Sequence, residues 1–131
     1  MARKISILIV DDEESVRDSL LNWFIEDGYN VRCAENAKIA LLMLENENFD
    51  IILADIKMPG MDGIEVLRKI KGVKKETAVI MLTAYGTLET ARKAMKLGAY
   101  DYVTKPVDHS LLKSLMKEAL AMVVKSRRKK K

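Results

Sequence analysis

Ile5-Ser6-Ile7-Leu8-Ile9-Val10-Asp11-Asp12 is a run of mostly β-branched and aliphatic side chains stopped by two carboxylates. The pattern recurs along the chain. Ile51-Ile52-Leu53-Ala54 closes on Asp55, Ala78-Val79-Ile80-Met81-Leu82 closes on Thr83, and Tyr100-Asp101-Tyr102-Val103-Thr104 leads into Lys105. Short, nearly continuous apolar runs of this kind read as strands buried on both faces, the condition of a parallel sheet. If they are parallel, Asp11, Asp12, Asp55, Thr83 and Lys105 meet at the carboxyl ends of the strands, where open α/β sheets place their ligands.

Helical spacing fills the intervals between strands. Val16, Leu20, Trp23 and Phe24 recur on one face and Gly28 stops them before a second strand, Asn30-Val31-Arg32-Cys33-Ala34. Asn36 is placed to cap a helix lined by Ala37, Ala40, Leu41 and Leu44. After strand 51–54 comes the turn Met58-Pro59-Gly60-Met61-Asp62-Gly63. A helix follows with Ile64, Val66, Leu67 and Ile70 inward, Arg68 and Lys69 outward, and Gly72 at its end. The helix over 86–97 carries Leu88, Ala91, Ala94 and Met95 and is ended by Gly98. The last helix, 108–124, carries the stripe Leu111, Leu112, Leu115, Met116, Ala119, Leu120 and Val123.

Five strands alternating with five helices across short connections predict an α/β fold, a flavodoxin-like (βα)5 doubly wound parallel sheet of strand order 2-1-3-4-5. The 131 residues form one domain over 1–124, with 125–131 as a basic tail or the start of a linker. The formal charge of +4 belongs to that tail, whose six cations leave the other 124 residues at −2. A solvated terminus is the plain reading of such a tail, and direct nucleic-acid binding is not expected. No run is long enough to span a bilayer and the amino end lacks a signal-peptide pattern, so a cytoplasmic location is expected, with no membrane partner. Cys33 is the only cysteine, which rules out an internal disulfide and suits a reducing compartment; it reads as a small buried hydrophobe. His109 reads as solvated, Trp23 as packing, and the eight Met as core filler or interface.

Strands 1 and 3 are neighbours in this order, about 4.8 Å apart, so Asp11, Asp12 and Asp55 can share one cation. Crowded carboxylates repel, and Mg2+ is the natural compensator because it takes oxygen ligands and is often completed by a phosphate oxygen. Lys105 can neutralise one phosphoryl oxygen, Thr83 can donate to another, and Asp55 is placed to act as a nucleophile. Each residue alone has a structural reading. The acids at 11–14 complement the dipole of the following helix, Asp55 forms a turn, Thr83 ends a strand or caps a helix, and Lys105-Pro106 is a loop. Their shared rim is what favours a site.

These residues resemble a response-regulator receiver domain of two-component signalling across about residues 4 to 124. The resemblance is carried by Asp11-Asp12, Asp55-Ile56-Lys57-Met58-Pro59-Gly60-Met61-Asp62-Gly63, Thr83-Ala84 and Lys105-Pro106. It implies that Asp55 accepts a phosphoryl group from the phosphohistidine of a sensor histidine kinase. It further implies that Asp12, Asp55 and the Lys57 carbonyl bind Mg2+ directly, with Asp11 acting mainly through water. Thr83, the Ala84 amide and Lys105 would hold the phosphoryl oxygens, and the Lys105-Pro106 peptide would be cis. Thr83 and Tyr102 are implied to form the switch, read out on the face of helix 86–97, strand 100–103 and helix 108–124 by an output domain or effector protein.

Lys57 and Tyr85 stand two residues after Asp55 and Thr83, where bulk would impede an attacking water, so slow self-dephosphorylation is expected. Leu82-Thr83-Ala84-Tyr85-Gly86-Thr87-Leu88-Glu89-Thr90-Ala91, with Gly98-Ala99-Tyr100-Asp101-Tyr102 after it, is similar to the nitrogen-regulatory type of transcriptional activator, which points to transcriptional control. The stripe from Leu111 to Val123 leaves a homodimer open. A magnesium phosphohydrolase would want an Asp-x-Asp motif at Asp55, where Lys57 stands instead, so the chain reads as a switch and not an enzyme acting on other substrates.

Overall fold

A computed structural model describes residues 4–56, 63–74, 76–84 and 88–129. The elements alternate as β1 (Ser6–Val10), α1 (Glu14–Glu26), β2 (Asn30–Ala34), α2 (Ala37–Asn46), β3 (Ile51–Asp55), α3 (Gly63–Val73), β4 (Ala78–Thr83), α4 (Leu88–Lys96), β5 (Asp101–Thr104) and α5 (His109–Lys129). All strand pairs are parallel and the order is β2-β1-β3-β4-β5, as the sequence predicts.

Alternation along each strand divides the core in two. Leu8, Val10, Ile52, Ala54, Val79 and Met81 face one side with Ala40 and Leu44 of α2, Leu67 and Ile70 of α3, and Ala94 of α4. Ile7, Ile9, Ile51, Leu53, Ile80 and Leu82 face the other with Leu20 and Phe24 of α1 and Leu112 and Met116 of α5. Because both faces are covered, β3 and β4 are buried along their whole length, which accounts for their unbroken apolar runs.

The local signals act as expected at most ends. Gly28 and Gly98 take φ +87° and +101°, the left-handed region that ends α1 and α4. Asn36 caps α2 by accepting from the Ile39 amide at 2.8 Å. Gly72 does not end α3, which continues through Val73, because a glycine with ordinary φ lowers helix propensity without forcing a turn. The last helix, predicted to end at 124, runs on to Lys129.

Three packing expectations also need correction. Met95 and Leu111, assigned to apolar faces, are 44% and 52% exposed, since α4 and α5 each bury only a narrow stripe. Cys33 is half-buried and not enclosed; burial nonetheless raises its thiol pKa, outweighing the nearby Arg17. His109 is not simply solvated: its ring stacks on Trp23 with centroids 4.3 Å apart and planes 10° apart, joining the start of α5 to α1.

Candidate functional site

Register brings the rim together. Val10 lies beside Ala54, Asp55 beside Leu82, and Thr83 beside Thr104, so Asp11, Asp55, Thr83 and Lys105 all emerge at the carboxyl edge. Backbone bonds tie the strand ends into one unit. The Ile56 amide donates to the Leu82 carbonyl and the Lys105 amide to the Thr83 carbonyl, both at 2.8 Å. Asp11, Asp55 and Thr83 are buried and Asp12 is exposed. The Lys105–Pro106 peptide is cis.

The Lys105 ammonium lies 2.8 Å from Asp11 Oδ2, 3.1 Å from Asp55 Oδ2 and 3.3 Å from Glu13 Oε1. Burial alone would lower the lysine pKa, but the Asp11 and Asp55 carboxylates outweigh it and hold the side chain protonated well above the ordinary lysine range. The Glu13 amide donates to Asp11 Oδ1 at 2.9 Å, and Arg17 donates to the Asp11 carbonyl at 2.8 Å, which pins the segment after β1.

Carboxylate oxygens of Asp11, Asp12, Glu13 and Asp55 lie within 4.8 Å of one another. Asp11 Oδ2 is buried and accepts no aligned hydrogen bond among the described residues, although the ammonium is close. Four clustered carboxylates, three of them against the Lys105 ammonium, with a buried oxygen lacking an aligned donor, form a donor set that fits a hard divalent cation such as Mg2+. The described part of the site thus gathers Asp11, Asp12 and Asp55 as expected. The Lys57 carbonyl, Tyr85 and the turn from Met58 to Asp62 lie outside the described residues.

From sequence alone Glu13, Arg17 and Gly63 have no site role of their own, Gly63 being only the end of the motif that follows Asp55. Glu13 read only as an acid favouring the next helix, yet its carboxylate joins the cluster; its place in Asp11-Asp12-Glu13-Glu14 was the available signal. Arg17 carried no signal. At Gly63 the backbone of α3 presses on the end of β3, where a Cβ would fall 2.6 Å from Ile56 Cα and still closer to the Asp55 carbonyl. Only a residue without Cβ permits this return of the chain beneath Asp55.

Tyr102, on β5, is 38% exposed, and its amide donates to Asp101 Oδ1 at 2.7 Å. Among the described residues no helix is long and apolar enough to cross a membrane.

Comparison with known proteins agrees with this fold. A family model described as the response regulator receiver domain matches residues 7–117. The chain is 42% identical over 116 residues to regulatory protein AtoC of Escherichia coli (strain K12), covering 88% of this chain and 25% of that protein. It is 38% identical over 116 residues to sporulation initiation phosphotransferase F of Bacillus subtilis (strain 168), covering 88% of this chain and 94% of that one. The crystal structure of a response regulator receiver domain protein (CheY-like) from Methanospirillum hungatei JF-1 superposes with a TM-score of 0.92 at 36% identity, covering 95% of this chain and 99% of that chain.

The chain spans about a quarter of the length of AtoC and of the transcriptional regulatory protein ZraR. Both are named as regulators, ZraR as a transcriptional one. Fold and relatives agree, and the chain belongs to the response regulator receiver domain family, the phosphorylation-switched input modules of two-component signalling.

Proposed function

We propose that Asp55 is the phosphoacceptor and that Asp11, Asp12, Asp55 and the Lys57 carbonyl hold Mg2+. The observation that carries this reading is the Lys105 ammonium 3.1 Å from Asp55 Oδ2, beside a carboxylate cluster fit for a divalent cation. An Asp55 oxygen attacks the phosphorus of a sensor kinase's phosphohistidine. The new bond is P–O, the P–N bond breaks, and the imidazole leaves with the electron pair. Mg2+ held there would supply charge neutralisation for the phosphoryl oxygens. Lys105 pairs with one phosphoryl oxygen, and the Thr83 hydroxyl and Ala84 amide donate to others.

Lys105 exchanges part of its pairing with Asp11 and Asp55 for the phosphoryl group. Because its backbone is bonded to Thr83, the same event is read at the ends of both β4 and β5. Tyr102 follows Thr83, and the face of α4, β5 and α5 passes the change to an output domain or effector, with transcriptional control as the output and the cytoplasm as the place of work. The receiver domain occupies 1–124, and 125–131 begin a basic tail or linker. Lys57 and Tyr85 slow the loss of the phosphoryl group to water.

Incubation with acetyl phosphate and Mg2+, followed by intact mass, tests the reading. A phosphoryl adduct is expected in the wild type and absent from Asp55→Asn; an adduct that survives that substitution, or none at all, would refute it. Size-exclusion analysis of the same samples separates the outputs: a shift to dimer assigns the face to self-association, and an unchanged state assigns it to a different partner.

A further inference from the structure

A groove of about 360 Å³ lies between α2 and α3, and none of its lining residues belongs to the acidic cluster around Asp55. Its floor is apolar: Leu41 and Leu44 come from one helix, Ile70 and Val73 from the other. Val73, the last residue of α3, is 78% exposed, the most exposed of the large hydrophobics among the described residues. The rim is charged asymmetrically. Lys69 and Lys74 flank the α3 side, and Glu45 alone stands on the α2 side.

Neither lysine pairs with a carboxylate among the described residues. Lys74 is tethered by donating to Asn48 Oδ1 at 2.6 Å, and a neutral amide leaves the ammonium charge uncompensated while holding it at the groove's end. The groove spans one turn of each helix, so its occupant is short. Its volume falls at the lower end of the range of small-molecule sites.

We propose that this groove binds a small amphipathic acid, with a short acyl chain or single ring on the Leu41, Leu44, Ile70 and Val73 floor and its anionic head between Lys69 and Lys74. The apolar floor supplies the affinity by removing hydrocarbon from water, and the two lysines select the charge of the head. Nothing in this proposal depends on Asp55, so it stands or falls separately from the phosphorylation reading.

Octanoate is the probe, with octanol and octylammonium as its neutral and cationic counterparts. In amide NMR titrations of the full chain, octanoate is expected to shift residues 41–45 and 69–74 saturably, with a dissociation constant of about 1 mM. The other two bind about threefold more weakly or worse. Glu45→Gln tightens octanoate by removing the opposing acid. Lys69→Glu combined with Lys74→Glu inverts the preference toward octylammonium, and amide shifts elsewhere in the spectrum verify that the variants remain folded. The proposal is overturned if no saturable shift maps to α2 and α3, or if the three ligands bind equally. It is also overturned if raising the protein concentration alone moves the same amides, because a second copy then covers the groove.

Discussion

Lys105 and Asp55 stand 50 residues apart in the chain and 3.1 Å apart in space. The ammonium proposed to pair with a phosphoryl group is already paired, and the carboxylates around it hold its pKa up. A base whose folded pKa is raised contributes stability that is complete below its unfolded pKa, about 10.4, and is lost as pH rises through the folded value. Urea unfolding of the wild type and Lys105→Met should therefore differ by a constant margin from pH 7 to pH 10. The margin shrinks above about pH 10.4. At neutral pH without divalent cations the variant should be less stable by about 1–3 kcal/mol, since Asp11 and Asp55 keep buried charge without its partner. A margin that grows with pH would contradict the ion-pair account.

Divalent cation should stabilise the folded state through the carboxylate cluster. With Mg2+ at a hundredfold over its dissociation constant, the wild type gains about 2.7 kcal/mol. Asp11→Asn should lose most of that gain, because Asp11 supplies the buried oxygen without an aligned donor. Glu13→Gln should keep most of it, because the Glu13 side chain is 56% exposed. Thermal melts with Mg2+ and with chelator measure both, and equal losses in the two variants would mean that the cation sits elsewhere.

Two glycines of α3 should respond in opposite directions. Gly63→Ala forces a methyl group against the backbone of Asp55 and Ile56 and is expected to cost about 2 kcal/mol while slowing phosphorylation from acetyl phosphate. Gly72→Ala meets nothing within 4 Å in the same helix and is expected to stabilise by about 0.5 kcal/mol with the phosphorylation rate unchanged. Denaturant melts and the rate of adduct formation separate the two effects.

Tyr102 is expected to lose exposure when Asp55 is phosphorylated. Fluorine NMR of protein labelled with 3-fluorotyrosine resolves the four tyrosines, and Tyr102→Phe assigns the resonance. Acetyl phosphate with Mg2+ should shift that resonance toward a buried environment in the wild type and leave it unmoved in Asp55→Asn. Thr83→Ala should still take up the phosphoryl group but show a smaller shift, because the hydroxyl that follows the phosphoryl oxygen is gone.

Much of this molecule is legible in its sequence. Strands buried on both faces need continuous apolar runs, so β1, β3 and β4 announce themselves, and the residues that end them must share a rim once the strands are parallel. Gly28, Asn36 and Gly98 mark helix boundaries through local backbone chemistry, which acts within a few residues and is visible in a few residues. Tertiary structure alone decided what lies across from what. Glu13 and Lys105 meet over a separation of 92 residues, Trp23 stacks on His109, and Gly63 passes beneath Asp55. Periodicity names the apolar side of a helix but not how much of it a neighbour covers, which is why Met95 and Leu111 stand exposed and a groove remains open beside Val73. Local pattern therefore determined the elements and the chemistry at the rim, while register and packing determined which charges became partners.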